Sequence, residues 1–222
     1  MVHLNRQIDG ATPGFARPLS KSERTRQRIL DSAARVFASK GFAGVSLRDI
    51  ASAADTKAGS LYYHFASKDE LVEAVLRHAI EEMHQHVRDA VDAAADEGAA
   101  GRLKAAISAH TESVMERTDY AKALLRISSQ IPDDVRERHN KHARAYGEYW
   151  GQLFNDARDE GAIRVDLDLT LARLLVLGAM NWTVEWPASL WSPESITSTL
   201  NKIVFEGIGT DDVDEEAVRA LH

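Results

Sequence analysis

The chain has 222 residues and a formal net charge of −7, which is room for one or two compact units. It has no cysteine, so disulfides, thiol nucleophiles and thiolate metal sites are excluded. No apolar run reaches the ~18 residues that span a bilayer, and the start of the chain has no signal-type apolar core, so a cytoplasmic protein is expected.

The charge is unevenly spread. Residues 1–70 carry 11 Lys and Arg against 7 Asp and Glu, and the remainder carries 16 against 27. An acidic protein can still bind DNA when its basic charge is gathered on the docking face. Residues 1–20, with Pro13, Gly14 and Pro18, read as a flexible arm. A helix is expected over 22–40, with Ile29, Leu30, Ala33, Ala34 and Phe37 as its apolar stripe and Gly41 as its stop. Arg24, Arg26 and Arg28 crowd its start, where cations oppose the helix dipole. Phosphate contact, assigned to Arg24, is one reading of them, and a solvated basic face is the other.

Ser46 and Asp49 form a capping box that opens a short helix carrying Leu47, Ile50 and Ala54. Asp55 and Thr56 break it. A second short helix over 57–63 buries Leu61, with Phe65 following, and leaves Lys57, Ser60, Tyr62, Tyr63 and His64 largely on its other faces. Ser67 and Glu70 form another capping box and start a helix over 68–96, with Val72, Leu76, Met83 and Val87 in its stripe. Gly98 and Gly101 then break the chain.

Further helices are expected over 102–116, 120–129, 133–160, 168–186 and 192–206. Ile131-Pro132, Gly161 and Pro187 serve as stops, and Ser192-Pro193 as a start. The stretch LARLLVLGAMNW within 168–186 is apolar enough to be buried on several sides. Residues 211–222 read as an acidic tail. No strand and no internal repeat stands out, so the fold class is all-α.

Two short crossed helices with a polar second member form a helix-turn-helix, whose second helix fits the major groove. The strings SLRDIASAA at 46–54 and GSLYYHFASKDEL at 59–71 closely resemble the DNA-binding domain of TetR-family transcriptional regulators. At motif level the resemblance covers residues 24–76. It implies a helix-turn-helix DNA-binding domain over 21–70 and a larger helical ligand-binding and dimerisation domain over 71–210, linked by the helix that starts at Lys68.

The resemblance also assigns roles on double-stranded operator DNA. Arg48 matches a position that reaches a base or phosphate, and Arg can bond guanine O6 and N7 together. Ser46 matches a phosphate-contacting hydroxyl. Lys57, Ala58, Gly59 and Ser60 occupy the part of the recognition helix nearest base edges. Tyr62, Tyr63, His64 and Lys68 match the phosphate-gripping cluster, and Tyr63 is expected to be the member that is partly buried. Where the family commonly has Gly-Val-Ser, this chain has Asp55-Thr56-Lys57. Whether Thr56 or Lys57 begins the base contacts therefore stays open.

In the C-terminal region the resemblance implies an effector pocket walled by His110, Tyr120, Leu124, Tyr146, Trp150, Phe154, Leu175, Trp182 and Trp186. A packed core without a cavity is the competing reading of the same residues. NWTVEW at 181–186 looks like a motif of members tied to fatty-acid or acyl-CoA catabolism, although those often carry a basic residue where Glu185 stands here. A homodimer is expected through Leu171, Ile196, Leu200, Ile203 and Val204. His78, Glu82 and His86 share one helix face, but exposed helical His and Glu commonly do so, and no metal or cofactor is expected. No catalytic motif converges, so an enzyme is not expected.

The expected function is a repressor released from a palindromic operator by a small hydrophobic effector of the fatty-acid, acyl-CoA, aromatic or steroid-like kind. The alternative is a regulator with a solid C-terminal bundle that is controlled by a protein partner.

Overall fold

Oxygen-bearing side chains set where most of the helices begin. Ser20 caps α1 (Lys21–Lys40) and exchanges hydrogen bonds with Glu23. Ser46 caps α2 (Leu47–Ala53) in the same way with Asp49. Ser67 accepts the Glu70 N–H at the start of α4 (Lys68–Ala93), but the Glu70 carboxylate accepts the Ala66 N–H at 2.7 Å, so the capping box expected there closes on one side only. Asp168 and Ser192 cap α8 (Leu169–Trp182) and α9 (Pro193–Glu206). Each cap satisfies an N–H that a helix end leaves without a partner, worth about 1 kcal/mol. The remaining helices are α3 (Ala58–His64), α5 (Gly98–Met115), α6 (Asp119–Ile127) and α7 (Asp133–Asp159).

The computed structural model describes residues 20–115, 119–186 and 190–207. The expected arm, apart from Ser20, lies outside these residues, as do the Pro187 stop and the acidic tail. Among the described residues the chain is all-α, with no strand.

The α4–α5 junction differs from the sequence reading. α4 ends at Ala93, and a short 3-10 turn over Ala95–Glu97 leads straight into α5. The two glycines therefore make a tight reversal in place of a loop. Gly98 has φ +70°, a left-handed value that favours glycine. A Cβ on Gly101 would lie 2.2 Å from the Glu97 Cβ. The new helix start is capped from a distance: Glu160, at the end of α7, accepts the Ala99 N–H at 2.7 Å. The eighth helix is likewise shorter than expected, giving way after Trp182 to a 3-10 turn over Thr183–Glu185.

α5 packs against α4, α6, α7, α8 and α9, and so forms the axis of the C-terminal bundle. α1 packs against α2, α3, α4 and α6. One continuous apolar core runs from Ile29 and Phe37 through Leu71 and Leu76 to Ile107, Trp150 and Met180. The N-terminal head and the bundle thus share packing.

Candidate functional site: a helix-turn-helix head and an interior cavity

The head is held by Ile50, Ala51, Ala54, Leu61 and Phe65, all buried in the same core as Ile29, Ala33 and Phe37 of α1. Between α2 and α3 the backbone turns at Asp55, which has φ +45°. A short polar side chain tolerates this region better than most, which is how Asp serves at a turn where glycine is common. The Thr56 N–H closes the turn on the Ala51 carbonyl at 3.0 Å. Thr56 is half-buried, whereas Lys57 is exposed and starts α3 without a side-chain cap.

α3 presents an open face. Lys57, Ala58, Gly59, Tyr62 and Tyr63 are exposed, with Ser60 and His64 half-buried. A Cβ on Gly59 would meet nothing within 4 Å. Arg48 and Arg24 are exposed as well. Tyr63 corrects the sequence reading: it is 81% exposed and packs edge-on against His64. Leu61 points into the core, and a residue two positions later lies about 200° around the helix, on the outer side.

Ser46 and Lys68 have structural partners as well. The Ser46 hydroxyl donates to Asp49 Oδ2 at 2.6 Å, and that bond holds the Asp49 carboxyl below its usual pKa. Lys68 Nζ donates to the Phe42 carbonyl at 2.6 Å and sits 4.0 Å above the Phe42 ring. Burial lowers the Lys68 pKa. This lysine fastens the start of α4 to the segment that follows α1.

In the bundle, α4 to α8 line a partly open cavity of about 280 Å³. Ile80, Met83, Leu124, Leu125 and Leu177 give it apolar walls, and His110, His139, Tyr146, Trp150 and Asn181 give it polar ones. His110 is buried, with Nδ1 2.6 Å from Tyr146 Oη and Nε2 3.1 Å from Asn181 Oδ1. An amide oxygen only accepts. Nε2 therefore carries the proton, and Nδ1 accepts from the Tyr146 hydroxyl. Burial pulls the His110 pKa down to about 4, so the ring is neutral. Burial also raises the Tyr146 pKa. His139 Nδ1 and Trp150 Nε1 are buried without an aligned hydrogen-bond partner, although the Trp150 N–H is near enough to Tyr146 to temper the rise in its pKa.

Of the sequence-predicted pocket residues, His110, Leu124, Tyr146 and Trp150 line this cavity. Phe154 is buried beneath Trp150. Tyr120 faces α1 instead: its hydroxyl donates to Asp31 at 2.7 Å, and its ring packs on His78. Leu175 and Trp182 are each 65% exposed on the outer side of α8, because Leu177 and Asn181 are the α8 residues turned toward the cavity. Trp186 lines a separate apolar groove between α8 and α9 with Trp191, Ile196, Leu200 and Ile203. Leu171 and Leu174 are exposed beside Leu175. Leu200 and Val204, expected at the dimer surface, pack partly on their own chain's core.

The sequence reading passed over His139 as a pocket residue. It stands seven and eleven positions before Tyr146 and Trp150, on the same face of α7, and that spacing was the available signal. His78 pairs with Glu82 at 3.1 Å, while His86 turns to Glu112 at 3.6 Å. Among the described residues there is no group of three His or carboxylates placed to hold a metal, and no helix long and apolar enough to cross a membrane.

Comparison with known proteins fits this two-part layout. The sequence profile of bacterial regulatory proteins of the tetR family matches residues 29–75, and that of the tetracyclin repressor-like C-terminal domain matches residues 96–208. The HTH-type transcriptional repressor KstR2 of Mycobacterium tuberculosis is 31% identical over 192 residues, covering 85% of this chain and 94% of its own. The chain belongs to the TetR family of transcriptional regulators.

Two TetR-like structures share its fold. AibR, solved with isovaleryl coenzyme A and operator DNA, superposes with a TM-score of 0.73 at 22% identity, over 82% of this chain and 98% of its own. FadR from Bacillus subtilis, solved with stearoyl-CoA, also gives 0.73, at 19% identity, over 82% and 99%. In this TetR-family chain α6 forms both a cavity wall and the seat of α1. Besides the Tyr120–Asp31 bond, Arg126 donates to the Ala38 carbonyl at 3.0 Å, and Gln130, just beyond α6, accepts the Phe42 N–H at 3.0 Å.

Proposed function

We propose that the protein represses transcription from the bacterial cytoplasm, binding a palindromic operator as a homodimer and leaving it when a small apolar effector enters the α4–α8 cavity. The observation that carries this reading is the double role of α6. Leu124, Leu125 and the adjoining Ser128 line the cavity, while Tyr120, Arg126 and Gln130 hold α1 and the loop after it. An effector that displaces α6 therefore tilts the head. Release needs only that the effector bind the tilted form better than the DNA-bound one.

On the DNA side, Arg48, Lys57, Ala58 and Gly59 face outward to read base edges, with Ser60 and Thr56 at the margin of that face. Arg24, Ser46, Tyr62, Tyr63, His64 and Lys68 are the phosphate-facing set. The outer face of α8, with Leu171, Leu174, Leu175 and Trp182, pairs with the same face of a second chain, and Ile203 and the α8–α9 groove extend that surface. A cavity with buried polar atoms lacking partners favours a small effector over a protein partner acting on a solid bundle.

The repressor sign follows the KstR2 relatives. The coenzyme A thioesters in the two neighbouring structures make such thioesters the first effectors to assay. The test is footprinting on the DNA upstream of the protein's own gene, followed by effector addition. A symmetric protected site that is lost on adding a cavity ligand is the expected result. Protection without symmetry, or with no ligand response across thioesters, aromatics and steroid-like compounds, would refute the proposal.

A further inference from the structure

The cavity is built along one face of α7. His139, Ala143, Tyr146, Gly147 and Trp150 all line it. Eleven residues separate the first from the last, which at 1.5 Å per residue is about 16 Å of helix. A volume of about 280 Å³ is roughly that of nine liquid waters at ~30 Å³ each. The space is therefore long and narrow.

Its lining contains no Asp, Glu, Lys or Arg. A bare carboxylate or phosphate placed at its deep end, beside the buried Trp150 and His110, would lose its water and gain no countercharge, which is strongly unfavourable. Arg173 is tied to the Gly147 carbonyl and is not part of the lining. The His110–Tyr146–Asn181 chain is satisfied internally, and its ring is neutral. The lining atoms left without an aligned partner are His139 Nδ1 and the indole N–H of Trp150, a side chain with no solvent exposure. That N–H tempers the raised Tyr146 pKa yet has no aligned acceptor. An indole nitrogen can only donate, and a buried donor left unpaired is costly.

We infer that the cavity takes an elongated, uncharged ligand portion whose oxygen, a carbonyl or hydroxyl, accepts the Trp150 indole N–H. This rests on the proposed effector role of the cavity and narrows the chemistry of what enters it. His139 Nδ1, also unpartnered, meets the ligand three turns earlier on α7 and suits a second neutral polar group. A free ketone or alcohol and the acyl part of a thioester share this chemistry. A free fatty or aromatic acid does not.

Four compounds test it by calorimetry on the full-length protein at pH 8: three two-ring compounds of similar length, 4-phenylcyclohexanone, phenylcyclohexane and 4-cyclohexylbenzoate, and the coenzyme A thioester of the last. The ketone should bind at least tenfold more tightly than the carboxylate. Trp150→Phe, which keeps a ring and removes the N–H, should weaken the ketone about three- to tenfold, the worth of one hydrogen bond. The same variant should leave phenylcyclohexane within about twofold. Thioester binding where the free acid fails supports the inference with an acyl thioester as the source. Ketone binding without thioester binding supports it with a free neutral ligand as the source.

Equal losses for ketone and hydrocarbon in Trp150→Phe, or carboxylate binding as tight as the ketone's, would overturn the inference and leave the effector cavity standing. The second comparison needs no variant, so a misfolded Trp150→Phe does not block the test. If none of the four compounds produces heat or a melting shift with the unaltered protein, the cavity reading falls along with this one.

Discussion

Mild acid should loosen the bundle from its centre, through His110. Burial holds this ring neutral with a pKa of about 4, against 6.5 for an exposed histidine. Between those two pH values the unfolded chain binds the proton and the folded one does not, so stability rises with pH across the interval. It is full above about pH 6.5 and is lost as the pH falls toward 4. The whole interval corresponds to about 3 kcal/mol per chain, and the part lost by pH 5 to about 2 kcal/mol. For a chain of this size, about 2 kcal/mol lowers the melting temperature by roughly 4–8 °C. His84 and His139, whose pKa values burial also lowers, act in the same direction. The informative measurement is therefore a difference, made by scanning calorimetry of the unaltered protein and of His110→Gln between pH 7.5 and 5. Glutamine retains a donor toward Asn181 but does not titrate. The variant should start less stable and lose roughly 4–8 °C less over the same interval. Parallel pH profiles would show that His110 is not held neutral in the folded chain, and the tautomer assignment would fail with it.

Arg48→Ala should alter which operator bases are preferred if the guanidinium reads a base. An equal loss on operator and random DNA would place Arg48 on phosphate. Lys68→Ala should lower the melting temperature by the equivalent of about 1–2 kcal/mol, because it removes a charged hydrogen bond and a cation–ring interaction. It should also flatten the log–log salt dependence of DNA binding by ~0.9 for each phosphate the variant no longer neutralises. An unchanged slope would confine Lys68 to its role at Phe42. Leu174→Glu and Trp182→Glu should give monomers in sedimentation runs without unfolding the chain, and a dimer that survives both would move the interface elsewhere. Tyr120→Phe should leave operator and effector affinities close to those of the unaltered protein while shrinking the factor by which each weakens the other. If that factor is unchanged, the Tyr120–Asp31 bond plays no part in release.

The framework of the head was legible because its signals are local: the Ser46–Asp49 capping box joins residues three apart, and the buried Leu61 and Phe65 are four apart. Tyr63 was not, since an aromatic side chain suits a buried and an exposed face alike. The bundle was legible only as helices. Periodicity marks Leu175 and Trp182 as apolar but does not say whether an apolar side chain meets its own core, a cavity or a second chain, since all three favour the same residue types. Tyr120 shows the limit from the polar side. Nothing near it in sequence announces Asp31, 89 residues earlier. The expected loop at Gly98 and Gly101 failed for a similar reason, because the residue that caps the new helix start, Glu160, lies 61 residues ahead of Ala99.

The seating of α1 on α6 bears on how such a regulator is rewired. Exchanging residues 1–70, the cut that the sequence motifs suggest, for another protein's reading head would keep Tyr120, Arg126 and Gln130 but discard Asp31, the Ala38 carbonyl and the Phe42 N–H that they bind. A chimera of that kind would have a docking surface whose hydrogen-bonding groups face strangers. It would recognise its new operator while answering its inducer poorly or not at all. A transplant that carries α6 and the turn through Gln130 along with the head, or that restores Asp31 and the loop after α1 in the incoming sequence, would preserve the mechanical joint. The portable unit of specificity in this chain is discontinuous in sequence.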